Sequence, residues 1–167
     1  MLRKLILACG VVAALPVLVA CTAATVSQNP VAEVMERPNR FTAYPQPGTT
    51  YLSFSQAHGF QVNYIGNGRA WLWYPGNSGV VPEEWKTDTI GGTPAMCWRH
   101  PSGSYNPVTK QTGGGYACQS LVLSQKTIVA SLQGDPFNLR SGAVPYRLNR
   151  CTAPEAFVFD RSRFGCN

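Results

Sequence analysis

The chain has 167 residues, 44% of them hydrophobic and only 13% charged, with 14 Lys and Arg against 8 Asp and Glu and a formal net charge of +6. Beyond Arg3-Lys4 the cations stand singly, which excludes the basic clusters that grip nucleic acid or a polybasic membrane site. The net charge leaves a mild attraction to anionic polymers and says nothing about fold.

Arg3 and Lys4 precede an apolar run, Leu5 to Ala20, that ends in small residues. Residues 1–20 thus have the layout of a secretory signal peptide, too short and wrongly flanked for an ordinary membrane span. At its end stands Leu18-Val19-Ala20-Cys21, which resembles the lipobox of bacterial lipoproteins. The resemblance implies cleavage before Cys21, a diacylglycerol on its sulfur and usually a third acyl chain on the new amino terminus. Ordinary cleavage, giving a soluble periplasmic protein, is the alternative. Stable attachment takes about two acyl chains or more, so a lipidated Cys21 keeps the protein on its membrane. Thr22 follows the cysteine where an aspartate resembles an inner-membrane retention signal. The expectation is therefore the outer membrane, periplasmic face, with the inner membrane as the alternative. Cleavage leaves twelve Lys and Arg against eight Asp and Glu, a net charge of +4.

Cys9 lies in the signal and Cys21 under lipid, so Cys97, Cys118, Cys151 and Cys166 remain. An even number in an oxidising compartment reads as two disulfides, for which three connectivities are open. Cys97–Cys118 and Cys151–Cys166 are expected, because each pair brackets one local excursion of the chain. A metal site is the competing reading. No C-x-x-C is present and His58 and His100 are the only histidines, so neither metal nor cofactor is expected.

Residues 21–49 hold the cysteine and a proline-rich stretch with few large apolar residues before Phe41 and Tyr44. Such composition offsets little ordering entropy and reads as a flexible tether, with room for a helical turn at Val31 to Glu36. Residues 50–167 then form one domain, whose modest core two disulfides would each support by about 2–4 kcal/mol.

That domain lacks a sustained 3.6-residue period and shows short alternating runs between Gly, Pro, Asn and Ser clusters, which predicts an all-β fold. The clearest element is a hairpin in "FQVNYIGNGRAWLWY". Asn67-Gly68 is a preferred two-residue turn, with both positions at positive φ. It sets Tyr64 opposite Trp71 and Val62 opposite Trp73. Phe60, Val62, Tyr64, Trp71 and Trp73 then share one aromatic face, while Gln61, Asn63, Ile65, Ala70, Leu72 and Tyr74 make a mixed one. Trp71 and Trp73 are expected in the core, and Tyr74 is left as a candidate for ligand contact. Strands are predicted in "EEWKTDT" and "PAMCWRH" around Gly91-Gly92. "YACQSLVLS" and "TIVASLQGD" follow, joined by a short turn at Ser124-Gln125-Lys126. "VPYRLNRC" and "AFVFDRSRFGC" read as an edge hairpin. The architecture expected is an antiparallel meander of about six to eight strands, closing partly as a small barrel or sandwich.

The order G-N-G-R-A-W-L-W, then Trp85, then M-C-W resembles small exported bacterial β-proteins of unknown function. The likeness runs from Gly59 to Gln119 and implies no activity.

Catalytic patterns are scarce. A Cys–His hydrolase or transpeptidase needs a free activated thiolate, and every mature cysteine is assigned to lipid or disulfide. There is no G-x-S-x-G elbow. Glu83-Glu84 are neighbours on a strand, so they point to opposite faces and form no close dyad; they read as a solvated strand start. His100 reads as a strand-end residue. No enzyme is expected. The loop from Pro101 to Gly115 exceeds the about 12 residues beyond which loops are often functional or disordered. With Tyr74, Trp98, Arg99 and His100 near it in strand order, its Tyr105, Asn106 and Lys110 would frame a shallow groove. Aromatic faces with Asn, Arg and Lys suit a glycan or a peptide. The function expected is an envelope binding module, touching peptidoglycan or an envelope protein, with a structural docking subunit as the alternative.

Overall fold

A computed structural model describes residues 30–106 and 108–166. The expected signal peptide, Cys21 and residues 22–29 lie outside the described residues.

In chain order the elements are α1 (Pro30–Glu36), β1 (Thr49–Ser55), β2 (Gly59–Ile65), β3 (Arg69–Trp73), β4 (Val81–Ile90), β5 (Thr93–Arg99), β6 (Tyr105–Asn106), β7 (Gln111–Thr112), β8 (Tyr116–Ser120), α2 (Leu121–Thr127) and β9 (Ile128–Gln133). Two single turns of 3₁₀ helix follow, Leu139–Ser141 and Arg161–Arg163. Seven strands pair antiparallel in the order β8-β5-β4-β3-β2-β1-β9, and β6 pairs with β7 as a small separate hairpin. The chain thus meanders from β1 to β8 and then moves to the far edge, where β9 pairs with β1. α2 alone makes that crossing. Its seven residues rise only about 10 Å, so the sheet must curl until its edges nearly meet. The result is an antiparallel half-barrel with α2 across its open seam. The all-β, partly closed architecture expected from the sequence is the one found.

The hairpin register is as predicted, with Val62 opposite Trp73 and Tyr64 opposite Trp71. Its turn differs in one respect. Only Gly68 takes a positive φ, at 65°, and Asn67 does not; a single left-handed position suffices to reverse the chain. Both disulfides form as expected, Cys97–Cys118 between directly opposed residues of β5 and β8, and Cys151–Cys166 in the C-terminal segment.

Three expectations are corrected. Residues 30–49 are packed structure. Val34 and Tyr44 are buried, and Arg37 donates from Nη1 to the Phe54 carbonyl at 2.8 Å. The side-chain amide of buried Gln125 donates to the carbonyls of Thr42 and Tyr44 and accepts from Asn39. Buried polar groups must be paired, and here one pairing fixes a segment that hydropathy alone does not fix. Next, the region around Ser124 is helix, because the chain has to reach β1 and cannot return beside β8. Last, the C-terminal segment forms turns and 3₁₀ helix. Arg161 gathers the carbonyls of Ala153, Pro154 and Phe157, which takes the place of strand pairing.

That C-terminal segment closes one face of the sheet. Leu139, Leu148, Ala153 and Phe157 pack on Leu52, Phe54, Phe60, Val62 and Trp73. Trp73 is fully buried and donates from Nε1 to the Tyr146 carbonyl at 3.0 Å. Trp71 stacks on Tyr64 at the edge of the same cluster. Period-2 alternation leaves the other residues of the same strands on the inner, concave face, where Tyr44, Tyr51, Ile65, Ala70 and Ile128 form a smaller cluster beside Trp85 and Trp98.

Candidate functional site

The concave face is not filled. A cavity of about 660 Å³ runs along it, inside the roughly 300–1,000 Å³ range of small-ligand clefts. β1 to β5 and β8 supply its floor, α1 and α2 close one end, and the β6–β7 hairpin overhangs the other. A smaller hollow of about 380 Å³ at the rim shares Ala57, His58, Tyr74 and Pro75 with it.

The strand register explains the polar side chains of the floor. Ser53 lies opposite Gln61, and Tyr51 opposite Asn63. Across β3, Asn63 faces Leu72, while Ala70 faces Glu83 on β4. Because Ala70 presents a single methyl group, Asn63 reaches diagonally past it, and its Nδ2 donates to Glu83 Oε2 at 2.7 Å. Glu84 pairs with Arg99 in register, so the next residue beyond β5, His100, falls beside Glu83. Its Nδ1 lies 2.9 Å from Glu83 Oε1.

Glu83 is therefore a buried carboxylate held from both sides, its side chain 3% exposed against 35% for His100. Burial of a carboxylate is costly unless paired and hydrogen-bonded. The bond from Glu83 holds the imidazole of His100 above its ordinary pKa of 6.5, outweighing partial burial. Tyr44 is fully buried nearby. Burial, with the charges of Glu83 and of the Tyr51 phenol, pushes its phenol far up, so it stays neutral. At the rim, His58 Nδ1 lies 3.1 Å from the Tyr74 hydroxyl. Burial, aided by Arg150, lowers its pKa.

Asn63 donates to Glu83, and its own carbonyl oxygen Oδ1 is buried without a hydrogen-bond partner. An acceptor in that state costs about 1–3 kcal/mol, and a ligand donor would relieve it.

Of the residues singled out from sequence, Tyr74, Trp98, His100, Tyr105 and Asn106 all line this cavity. Arg99 and Lys110 do not. Arg99 alternates to the opposite face, pairs with Glu84 and lies over the Tyr116 ring at 5.1 Å. Lys110 sits at φ 60° in the exposed β6–β7 turn. Glu83 is also corrected, since it is no solvated strand start. Sequence reasoning missed it together with Ser53, Gln61 and Asn63 as site residues. The alternation that put Gln61 and Asn63 on a half-polar face was the available signal. The four cysteines among the described residues are all in disulfides. Among the described residues there is no group of three His, Cys, Asp or Glu suited to a metal, and no helix long and apolar enough to cross a membrane.

No protein-family model, no curated protein and no solved structure matches this chain.

Proposed function

We propose that this chain is an envelope lipoprotein, anchored through Cys21 at the periplasmic face of the outer membrane, whose half-barrel domain is a binding module for an envelope component. The observation that carries the binding role is the concave cavity, open to solvent and floored by hydroxyl, amide and aromatic side chains. The lipobox resemblance and the apolar run before it support the anchor. Binding is favoured over turnover because the cavity offers no thiol or nucleophile elbow.

The packing of residues 30–49 changes the geometry of attachment. Only residues 22–29 separate Cys21 from α1, and nine peptide steps reach at most about 30 Å. The module therefore works close to its membrane, and its reach is set by that short link.

Two measurements test this reading. Cys21→Ser releases the protein from the membrane fraction if Cys21 carries lipid, and unchanged fractionation counts against the anchor. Full-length protein in detergent is expected to sediment with isolated sacculi. If it stays in the supernatant while crosslinking in intact cells traps one protein partner, a docking role replaces the binding module.

A further inference from the structure

We propose that the concave cavity takes an uncharged glycan segment, anchored at Asn63 and Gln61; this rests on the binding-module reading above and names its ligand class.

The charge of the lining restricts the ligand. Among the lining residues there is no Lys or Arg, and the single carboxylate, Glu83, is paired with His100. Of the twelve cations after Cys21, Arg150 lines the rim hollow and the other eleven line neither cavity. A ligand rich in carboxylates or phosphates finds no counter-charge on this floor, and a cationic one finds a carboxylate already satisfied. The lining fits a ligand that carries neither charge.

The floor also has free hydrogen-bonding capacity. Asn63 Oδ1 is buried and unpaired, and Ser53 and Gln61, opposed on β1 and β2, make no side-chain hydrogen bond among the described residues. These groups form one patch with both donors and acceptors. Sugar hydroxyls, which donate and accept, satisfy such a patch. The backbone groups beneath are engaged in the strand ladder, so an extended peptide finds no main-chain partners on the floor and would be expected at a sheet edge instead.

An aromatic wall completes the site. Trp98, Tyr74 and Tyr105 line the same cavity. Their apolar faces suit the C–H surface of a sugar ring, while Tyr hydroxyls keep a polar tip.

The test uses full-length protein in detergent and follows tryptophan emission, to which Trp98 reports from inside the cavity. Three probes are titrated: an N-acetylglucosamine tetramer, a glucose tetramer, and an uncharged alanine tetrapeptide capped at both ends. The proposal expects a saturable change with one or both sugars and none with the peptide. Response to the amino sugar alone identifies a cell-wall type of glycan, and response to both identifies a general hexose site. Gln61→Ala and Asn63→Ala each weaken sugar binding about tenfold, the loss of one hydrogen bond made by a desolvated group. Arg99→Ala, on the opposite face, leaves it unchanged. The Gln61 side chain makes no hydrogen bond among the described residues, so its variant stays interpretable if Asn63→Ala unfolds. Binding of the peptide alone, silence with both sugars, or sugar binding unaffected by Gln61→Ala overturns the proposal. If sugars fail while sacculus binding persists, the ligand class is wrong and the binding module stands.

Discussion

The two faces of one sheet are built from the same strands and yet do different work. On the convex side Leu52, Phe54, Phe60, Val62 and Trp73 are sealed by the C-terminal segment. On the concave side the intervening residues Ser53, Gln61, Asn63 and Glu83 line an open cavity. Alternation along a strand lets adjacent residues serve packing and recognition separately. A substitution on one face should therefore disturb one property and spare the other.

The largest effect is expected from Trp73→Ala. It removes a fully buried indole and its bond to the Tyr146 carbonyl, at a cost of about 3–5 kcal/mol in urea unfolding. Gln61→Ala, on the neighbouring strand but the opposite face, should change stability by less than about 0.5 kcal/mol. Equal losses would mean that the concave face is core as well. Cys118→Ser comes next, with a loss of about 2–4 kcal/mol under oxidising conditions. The reduced forms of variant and wild type should have the same midpoint, and equal midpoints in the oxidised forms would remove the role assigned to this bridge.

The two histidines that line the cavity respond oppositely to pH. His100 has a raised pKa through its bond to Glu83, so its contribution is full below about pH 6.5 and fades as pH rises through the raised folded value. His58 has a lowered pKa through burial and Arg150. The folded state then resists its protonation, and stability falls as pH drops below about 6.5. The stability gap between wild type and His100→Gln should thus widen toward acid, whereas His58→Gln should gain on wild type there. Parallel pH profiles for both variants would contradict the assignment. Arg99→Ala should also have a small effect. Its ion pair with Glu84 is between side chains 41% and 42% exposed, which limits the cost to about 1 kcal/mol in thermal unfolding.

Much of this fold was legible because it rests on local rules. The Asn67-Gly68 turn set the register of β2 and β3, and cysteine spacing paired both disulfides. The packing of residues 30–49 was not legible, because it hangs on Val34, Tyr44 and the distant amide of Gln125 rather than on a hydrophobic run. Nor was α2, whose formation follows from where β9 must pair. For the site, Tyr74, Trp98, His100, Tyr105 and Asn106 were found by residue type and strand order. Glu83 was missed because its burial depends on Asn63 of β2 and on His100 just beyond β5 reaching it, a long-range fact that spacing along the chain does not carry. Arg99 was misplaced for a simpler reason. It neighbours Trp98 and His100 in sequence, and alternation sends it to the other side.

The central claim is that the concave face is the ligand face. Its most direct measurement is amide chemical-shift mapping of the isotope-labelled full-length protein in micelles, titrated with the N-acetylglucosamine tetramer and the glucose tetramer. The account predicts that the shifts concentrate at Ser53, Gln61, Asn63, Glu83 and His100, with the C-terminal segment around Leu139 and Phe157 unmoved. Shifts confined to the convex face, around Leu139 and Phe157, would contradict it.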